Sequence, residues 1–287
     1  MKILRVFPRR TNATPDDELV RVGSPSLFKQ DCDEVHISVA FTWDLPEANR
    51  LRDEYEAQGY TVKIGGPATG MRGEDFTPGM YLKPGYVITS RGCPNRCWFC
   101  SVWKREGTIR ELPITEGWNI LDDNLLACSE KHIATVFEML RRQRHAPEFT
   151  GGLDPRYMTV EIMREIRVLN PKQIFTAYDS DDDKEFVERA IMNCWQAGFT
   201  QASHSVRCFV LIGFSHDTFD EATERLEWIM SLGAIPMAML YRNQNNQTNP
   251  QWRKLQKHWA RPGFRSLTSQ RASCSERERG GVNRGVV

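Results

Sequence analysis

Between residues 86 and 240 the sequence carries six short apolar or β-branched runs, and the second to fifth are each followed by a turn and a stretch with a helical apolar stripe. The runs fall at 86–90, 118–121, 148–150, 173–178, 206–212 and 235–240. The stripes are Ile133, Val136, Phe137 and Leu140 in a helix opening near Ser129, and Ile162, Ile166 and Leu169 in a helix over 159–169. Phe186, Val187, Ala190, Ile191 and Cys194 follow in a helix that stops at Gly198. Ala222, Leu226, Ile229 and Met230 follow a Thr218…Glu221 capping box and end at Gly233. A last helix is expected over 251–259. Repeated strand–helix units leave few topologies, because crossovers between parallel strands are right-handed and the helices must cover the sheet. The expectation is an α/β fold with a parallel sheet curled into a partial barrel. Residues 206–212 are almost continuously apolar, as befits a strand buried on both faces.

The first 80 residues predict a smaller α/β unit, half of a doubly wound fold. Strands are expected at 2–7, 34–40 and 61–64, with a polar, turn-rich stretch at 8–30. Asp44 reads as the N-cap of the intervening helix, with Pro46 in its first turn, Ala48, Leu51 and Tyr55 on its buried face, and Gly59 at its stop. Gly65-Gly66-Pro67 reads as a tight turn, and His36 as a core or edge histidine. Residues 66–85 are rich in Gly, Pro and Thr and read as a linker. The expected division is 1–80, 81–262, and a basic tail at 263–287. From Arg253 onward cations outnumber Glu276 and Glu278. Such a tail can follow phosphates, but disorder is the commoner meaning.

Three of the eight cysteines lie within Arg91-Gly92-Cys93-Pro94-Asn95-Arg96-Cys97-Trp98-Phe99-Cys100, directly after the first run of the repeat. Thiolates at C-x-x-x-C-x-x-C spacing can converge on one soft centre, either an iron–sulfur cluster or zinc. Both normally take four protein ligands, so three leave one coordination position open. Cys32, Cys128, Cys194, Cys208 and Cys274 show no ligand spacing, and Cys194 and Cys208 read as core residues.

The cysteine loop, with Phe99 before its last cysteine, resembles the signature of the radical S-adenosylmethionine enzymes. The methylthiotransferase-like and cobalamin-type branch is nearest. The resemblance implies a six-unit partial TIM-type barrel behind a small half-Rossmann-like α/β domain. It implies that Cys93, Cys97 and Cys100 hold a [4Fe–4S] cluster whose fourth iron binds S-adenosylmethionine. It also implies a flavodoxin- or ferredoxin-type reductant. Further cofactor contacts carry over to strand ends: Asp122, Asp123 and Asn124 for the amino group, Asp179 and Ser180 for the ribose and polar end, and Gly213 for the adenine. Two departures matter. The chain lacks the D-x-H-x-x-G loop of cobalamin-binding domains, and only Cys32 precedes the motif, so a second cluster is not expected.

Other loop residues carry weaker signals. Asp154 and Arg156 suit either substrate binding or an internal ion pair, and the amides of 243–247, beside Tyr241 and Arg242, suit substrate or solvent. His204 and His216 read as ordinary loop residues. The chain has 287 residues, 26% charged, with a net charge of +1, which favours no class of charged partner. No apolar run approaches the ~20 residues of a membrane span, and the first residues lack a secretory pattern, so a cytoplasmic location is expected. The expected activity is reductive cleavage of S-adenosylmethionine and hydrogen abstraction from a substrate left open, nucleic acid included. The alternatives are methyl or methylthio transfer to RNA or a metabolite, and a non-catalytic zinc or iron–sulfur protein.

Overall fold

The computed structural model describes residues 1–72, 80–242 and 249–259. It is an α/β protein with two parallel sheets, each backed by its own hydrophobic core.

The amino-terminal sheet contains β1 (Ile3–Phe7), β2 (Val20–Val22), β3 (Glu34–Ser38) and, after α1 (Leu45–Ala57), β4 (Val62–Gly65). Its order is β2-β1-β3-β4 and every pairing is parallel. The predicted stripe on α1 is the one that is buried: Ala48, Leu51 and Tyr55 pack against Leu4, Val6, Val35 and Ile37. Three expectations change here. β2 lies inside the stretch read as turns. Asp44 precedes α1, but its side chain makes no capping bond; the carboxylate takes the Arg9 guanidinium instead. The segment from residue 80, expected to be linker, is stitched to this unit: Arg5 donates to the Met80 carbonyl at 2.7 Å, Tyr81 shares a 2.5 Å hydrogen bond with His36 Nδ1, and Lys83 pairs with Asp16.

The second unit opens with β5 (Tyr86–Val87) and β6 (Ser90–Arg91). It continues with α2 (Val102–Arg105), β7 (Arg110–Glu111), β8 (Asn119–Ile120), α3 (Glu130–Arg141), β9 (Glu148–Phe149) and α4 (Val160–Val168). Then come β10 (Gln173–Tyr178), α5 (Lys184–Gln196), β11 (Val206–Ile212), α6 (Phe219–Ser231), β12 (Ile235–Leu240) and α7 (Pro250–Trp259). The six-stranded sheet has the order β12-β11-β10-β9-β8-β5, each strand lying parallel to the next in sequence. The expected 86–90 strand is interrupted: β5 pairs with β8, while β6 leaves the sheet and pairs antiparallel with β7. Helix capping follows the sequence at Ser129, Thr159 and Thr218, where each side chain accepts a backbone N–H.

The outer face of this sheet is dry. Ile174, Val206, Cys208, Val210 and Ile212 pack on Val187, Ala190, Ile191, Leu226 and Ile229 of the helices. The opposite face is only partly covered, unlike the fully buried strand expected for 206–212. Arg207 and Phe209 are half-buried there, Phe175 stacks on Phe209 at 4.5 Å, and the neighbouring Met239 is exposed. No helix among the described residues is long and apolar enough to cross a membrane. The tail, Cys274 and the amides of 243–247 lie outside the described residues.

Candidate functional site

In a parallel sheet the carboxyl ends of all strands face the same way, and the loops after them share one edge. All six strand ends converge on the cysteine loop. Its start is fixed by a sharp turn: Gly92 has φ +91°, and a Cβ there would lie 2.2 Å from the Thr108 carbonyl oxygen. Cys93 N–H bonds the Gly107 carbonyl at 3.1 Å, and the Trp103 indole donates to the Cys97 carbonyl at 3.0 Å.

The Asp-Asp-Asn sequence after β8 holds this loop in place. Asp122, 1% exposed, accepts from Thr89 N–H (2.6 Å), Thr89 Oγ1 (2.5 Å) and Ser90 Oγ (2.7 Å). Burial raises its pKa while these three donors oppose the shift. Asp123 accepts from Gly92 N–H at 2.9 Å and pairs with Arg91 at 3.5 Å. Both carboxylates are thus engaged beneath the loop rather than open to a ligand. Asn124 is different. Its Nδ2 donates to Cys93 Sγ (3.4 Å) and Asp154 Oδ2 (3.0 Å), but its Oδ1 is buried with no partner, in a residue only 3% exposed. Asp154, which follows β9, also takes Asn95 Nδ2 at 2.6 Å, closing a bridge from the β9 end to the cysteine loop.

Arg156, in the loop after β9, joins Asp154 (3.2 Å) to Asp183 (2.5 Å) beyond β10, the internal ion pair that was one of its two readings. Ser180 donates to Asp183 Oδ2 at 3.0 Å. Asp179, half-buried, makes no hydrogen bond to a described residue, and its charge is felt at Cys100. Burial lifts its pKa to about 7, helped by Asp183 and opposed by Arg156. Gly213, after β11, has φ +73°, and the space where a Cβ would sit is taken by Leu240 and Trp252. It is a packing glycine at the back of the loop, and Asp217, not foreseen from sequence, fixes it by accepting its N–H at 2.6 Å and pairing with Arg225. His204 and His216 are exposed loop residues.

The far side of the loop is aromatic. Trp98, 54% exposed, meets Phe99 at 5.4 Å, Phe214 after β11 at 5.6 Å and Tyr241 after β12 at 5.6 Å. The signal for this collar was an aromatic just past β11 and β12, visible only once those strand ends are known to meet the cysteine loop. An open cavity of about 770 Å³ runs along α7, lined by Phe219, Arg253 and Lys257 among others, away from the cysteine loop.

The three thiols are free and half-buried, and each of Cys97 and Cys100 feels its neighbours electrostatically. Burial pushes the Cys97 thiol up to about 11 and raises that of Cys100, so a metal has protons to displace on binding. Val102 N–H donates to Cys100 Sγ at 3.4 Å, as Asn124 does to Cys93, so two sulfurs already have donors of the kind that stabilise ligating thiolates. This donor set, with the orphaned Asn124 Oδ1 beside it, suits a cluster and a cationic ligand. Among the described residues no three or more His, Cys, Asp or Glu side chains are drawn in to metal-ligand distance. No family model and no curated protein matches this chain.

Proposed function

We propose that the chain is a radical S-adenosylmethionine enzyme in which Cys93, Cys97 and Cys100 hold a [4Fe–4S] cluster. One observation carries this reading: three free thiols on a single loop, with the carboxyl ends of six sequential parallel strands around it. The curl of that sheet into a partial TIM-type barrel, and a flavodoxin- or ferredoxin-type reductant, belong to the same proposal. When bound, the cluster and S-adenosylmethionine would supply one-electron cleavage of the sulfonium and a 5′-deoxyadenosyl radical for hydrogen abstraction.

The chain's own residues divide the remaining work. Asn124 Oδ1 is an unfilled acceptor beside Cys93 and suits the cofactor's ammonium. Asp179 offers a carboxyl with no hydrogen bond to a described residue at the end of β10, suited to ribose hydroxyls. Asp122 and Asp123 position the cysteine loop from beneath. The aromatic collar packs against the loop on its other side.

The test is anaerobic reconstitution with iron and sulfide, then dithionite and S-adenosylmethionine, with 5′-deoxyadenosine as the readout. Wild type should release it and Cys97→Ala should not. S-adenosylhomocysteine as a second product would assign methyl transfer. Bound zinc, no iron–sulfur absorbance and no cleavage would overturn the reading.

A further inference from the structure

The turn after β9 sets one carboxylate among the side chains of the cysteine loop. Gly151 is pressed against the chain after β8, where a Cβ would lie 2.4 Å from the Asp122 carbonyl oxygen. Its N–H bonds the Ile120 carbonyl at 2.9 Å, and Leu153 N–H bonds the Phe175 carbonyl at 2.7 Å. The turn is thereby fixed between β8 and β10. Asp154 comes next, with its side chain only 6% exposed.

Both oxygens of Asp154 are engaged. Oδ1 accepts the Arg156 N–H at 3.1 Å and the Arg156 guanidinium at 3.2 Å. Oδ2 accepts Asn95 Nδ2 at 2.6 Å and Asn124 Nδ2 at 3.0 Å. Asn95 lies between Cys93 and Cys97, and Asn124 Nδ2 also donates to Cys93 Sγ at 3.4 Å.

A carboxylate accepts hydrogen bonds and does not donate them, whereas an amide side chain has a donor end and an acceptor end. Asn124 therefore has to turn its NH2 group toward Asp154, and Cys93 Sγ draws the same group. Oδ1 is what remains, in a residue 3% exposed, with no partner among the described residues. A buried acceptor left unmet costs free energy, so this orientation needs a cause, and Asp154 supplies it.

We propose that Asp154 is a positioning residue: it locks the Asn124 amide with Oδ1 free, and so makes the site select a cofactor that carries an ammonium group. This role rests on the cluster reading and deepens it, since S-adenosylmethionine has that group at its methionine end. Asp154→Asn reverses the lock. Arg156 has only donors to offer, so the new amide turns its carbonyl to Arg156 and its NH2 to Asn95 and Asn124. Asn124 then meets that NH2 with Oδ1, and the free acceptor is gone.

Isothermal titration of the anaerobically reconstituted full chain tests this, with no reductant present so that nothing is cleaved. S-adenosylmethionine is compared with its analogue lacking the α-amino group. Wild type should bind the natural cofactor at least about tenfold more tightly, the weight of one hydrogen bond to a charged group. Asp154→Asn should keep its iron and bind the two compounds within about twofold of each other. Asn124→Leu should lose the preference in the same way, and it decides the matter if Asp154→Asn does not fold. A preference unchanged in either variant would overturn the proposal. Loss of iron from Asp154→Asn, or equal weakening of both compounds with their ratio kept, would show a carboxylate that merely holds the loop and would overturn it equally. A wild type that takes up no cluster, or binds neither compound, would bring down the cluster reading and this role with it.

Discussion

The two sheets use the same construction for opposite chemistry. Both are all-parallel, and their carboxyl edges face each other through Arg105 to Pro67 and Arg242 to Trp43. The larger sheet gathers thiols and five carboxylates at its edge, from Asp122, Asp123, Asp154, Asp179 and Asp183, and ties most of them into hydrogen bonds that hold one loop. At the smaller sheet's edge the described residues include Arg9, Arg10 and the stacked rings of Phe41 and Trp43, with the carboxylate of Asp44 holding Arg9. A parallel sheet fixes where a site will be, and the loop residues decide its sign.

The largest break in that comparison should come from Asp122→Ala. It strands three buried donors at once, and each unmet donor costs about 1–3 kcal/mol. A loss of about 3 kcal/mol or more in urea unfolding is expected, with poor iron retention. Stability that stays within 1 kcal/mol of wild type, an order-of-magnitude threshold, would show that the loop is held by something else.

Asp179 gives a smaller effect with a definite sign. Its carboxyl holds its proton to about pH 7 in the folded protein but ionises near the usual 3.8 once unfolded. The folded state therefore binds more protons between these values, so this group's contribution is full below about pH 4 and is lost as pH rises through 7. Half-burial limits it to about 1–2 kcal/mol. Urea midpoints for the metal-free protein at pH 4.5 and 7.5 should converge in Asp179→Asn relative to wild type. An identical pH slope in both proteins would remove Asp179 from the site's electrostatics.

Arg105→Ala should change least. It loses one hydrogen bond between the units, about 0.5–1.5 kcal/mol, and its ion pair with Glu106. Urea unfolding checks it: a loss within that range with iron retention unchanged is expected, and a larger loss would show that Arg105 does more than join the two edges.

Much of this architecture was legible. β10, β11 and β12 match the sequence reading to the residue, because long apolar runs between capped helices have no competing assignment. β2 escaped it, since three residues, Val20–Val22, in a polar stretch carry no periodicity. The 86–90 run was read as one strand, yet Thr89 and Ser90 turn out of the sheet onto Asp122, a partner more than thirty residues away. Asp44 carried a local capping signal and was claimed by Arg9, thirty-five residues earlier. The same limit applies at the site. Three cysteines announce themselves by spacing, but the use of Asp122 and Asp123 as anchors, and of Asn124 as the residue with an unmet acceptor, depends on which loops meet. Local pattern reveals elements and clustered ligands, while pairings across elements need the fold.

The central claim is that the cysteine loop carries a cluster with a position open to S-adenosylmethionine. Electron paramagnetic resonance of the anaerobically reconstituted, dithionite-reduced protein, recorded with and without S-adenosylmethionine, tests it most directly. A reduced-cluster signal that changes shape on adding the cofactor, and that is absent from Cys97→Ala, is the predicted result. No cluster signal, or a signal that S-adenosylmethionine leaves unchanged, would contradict it.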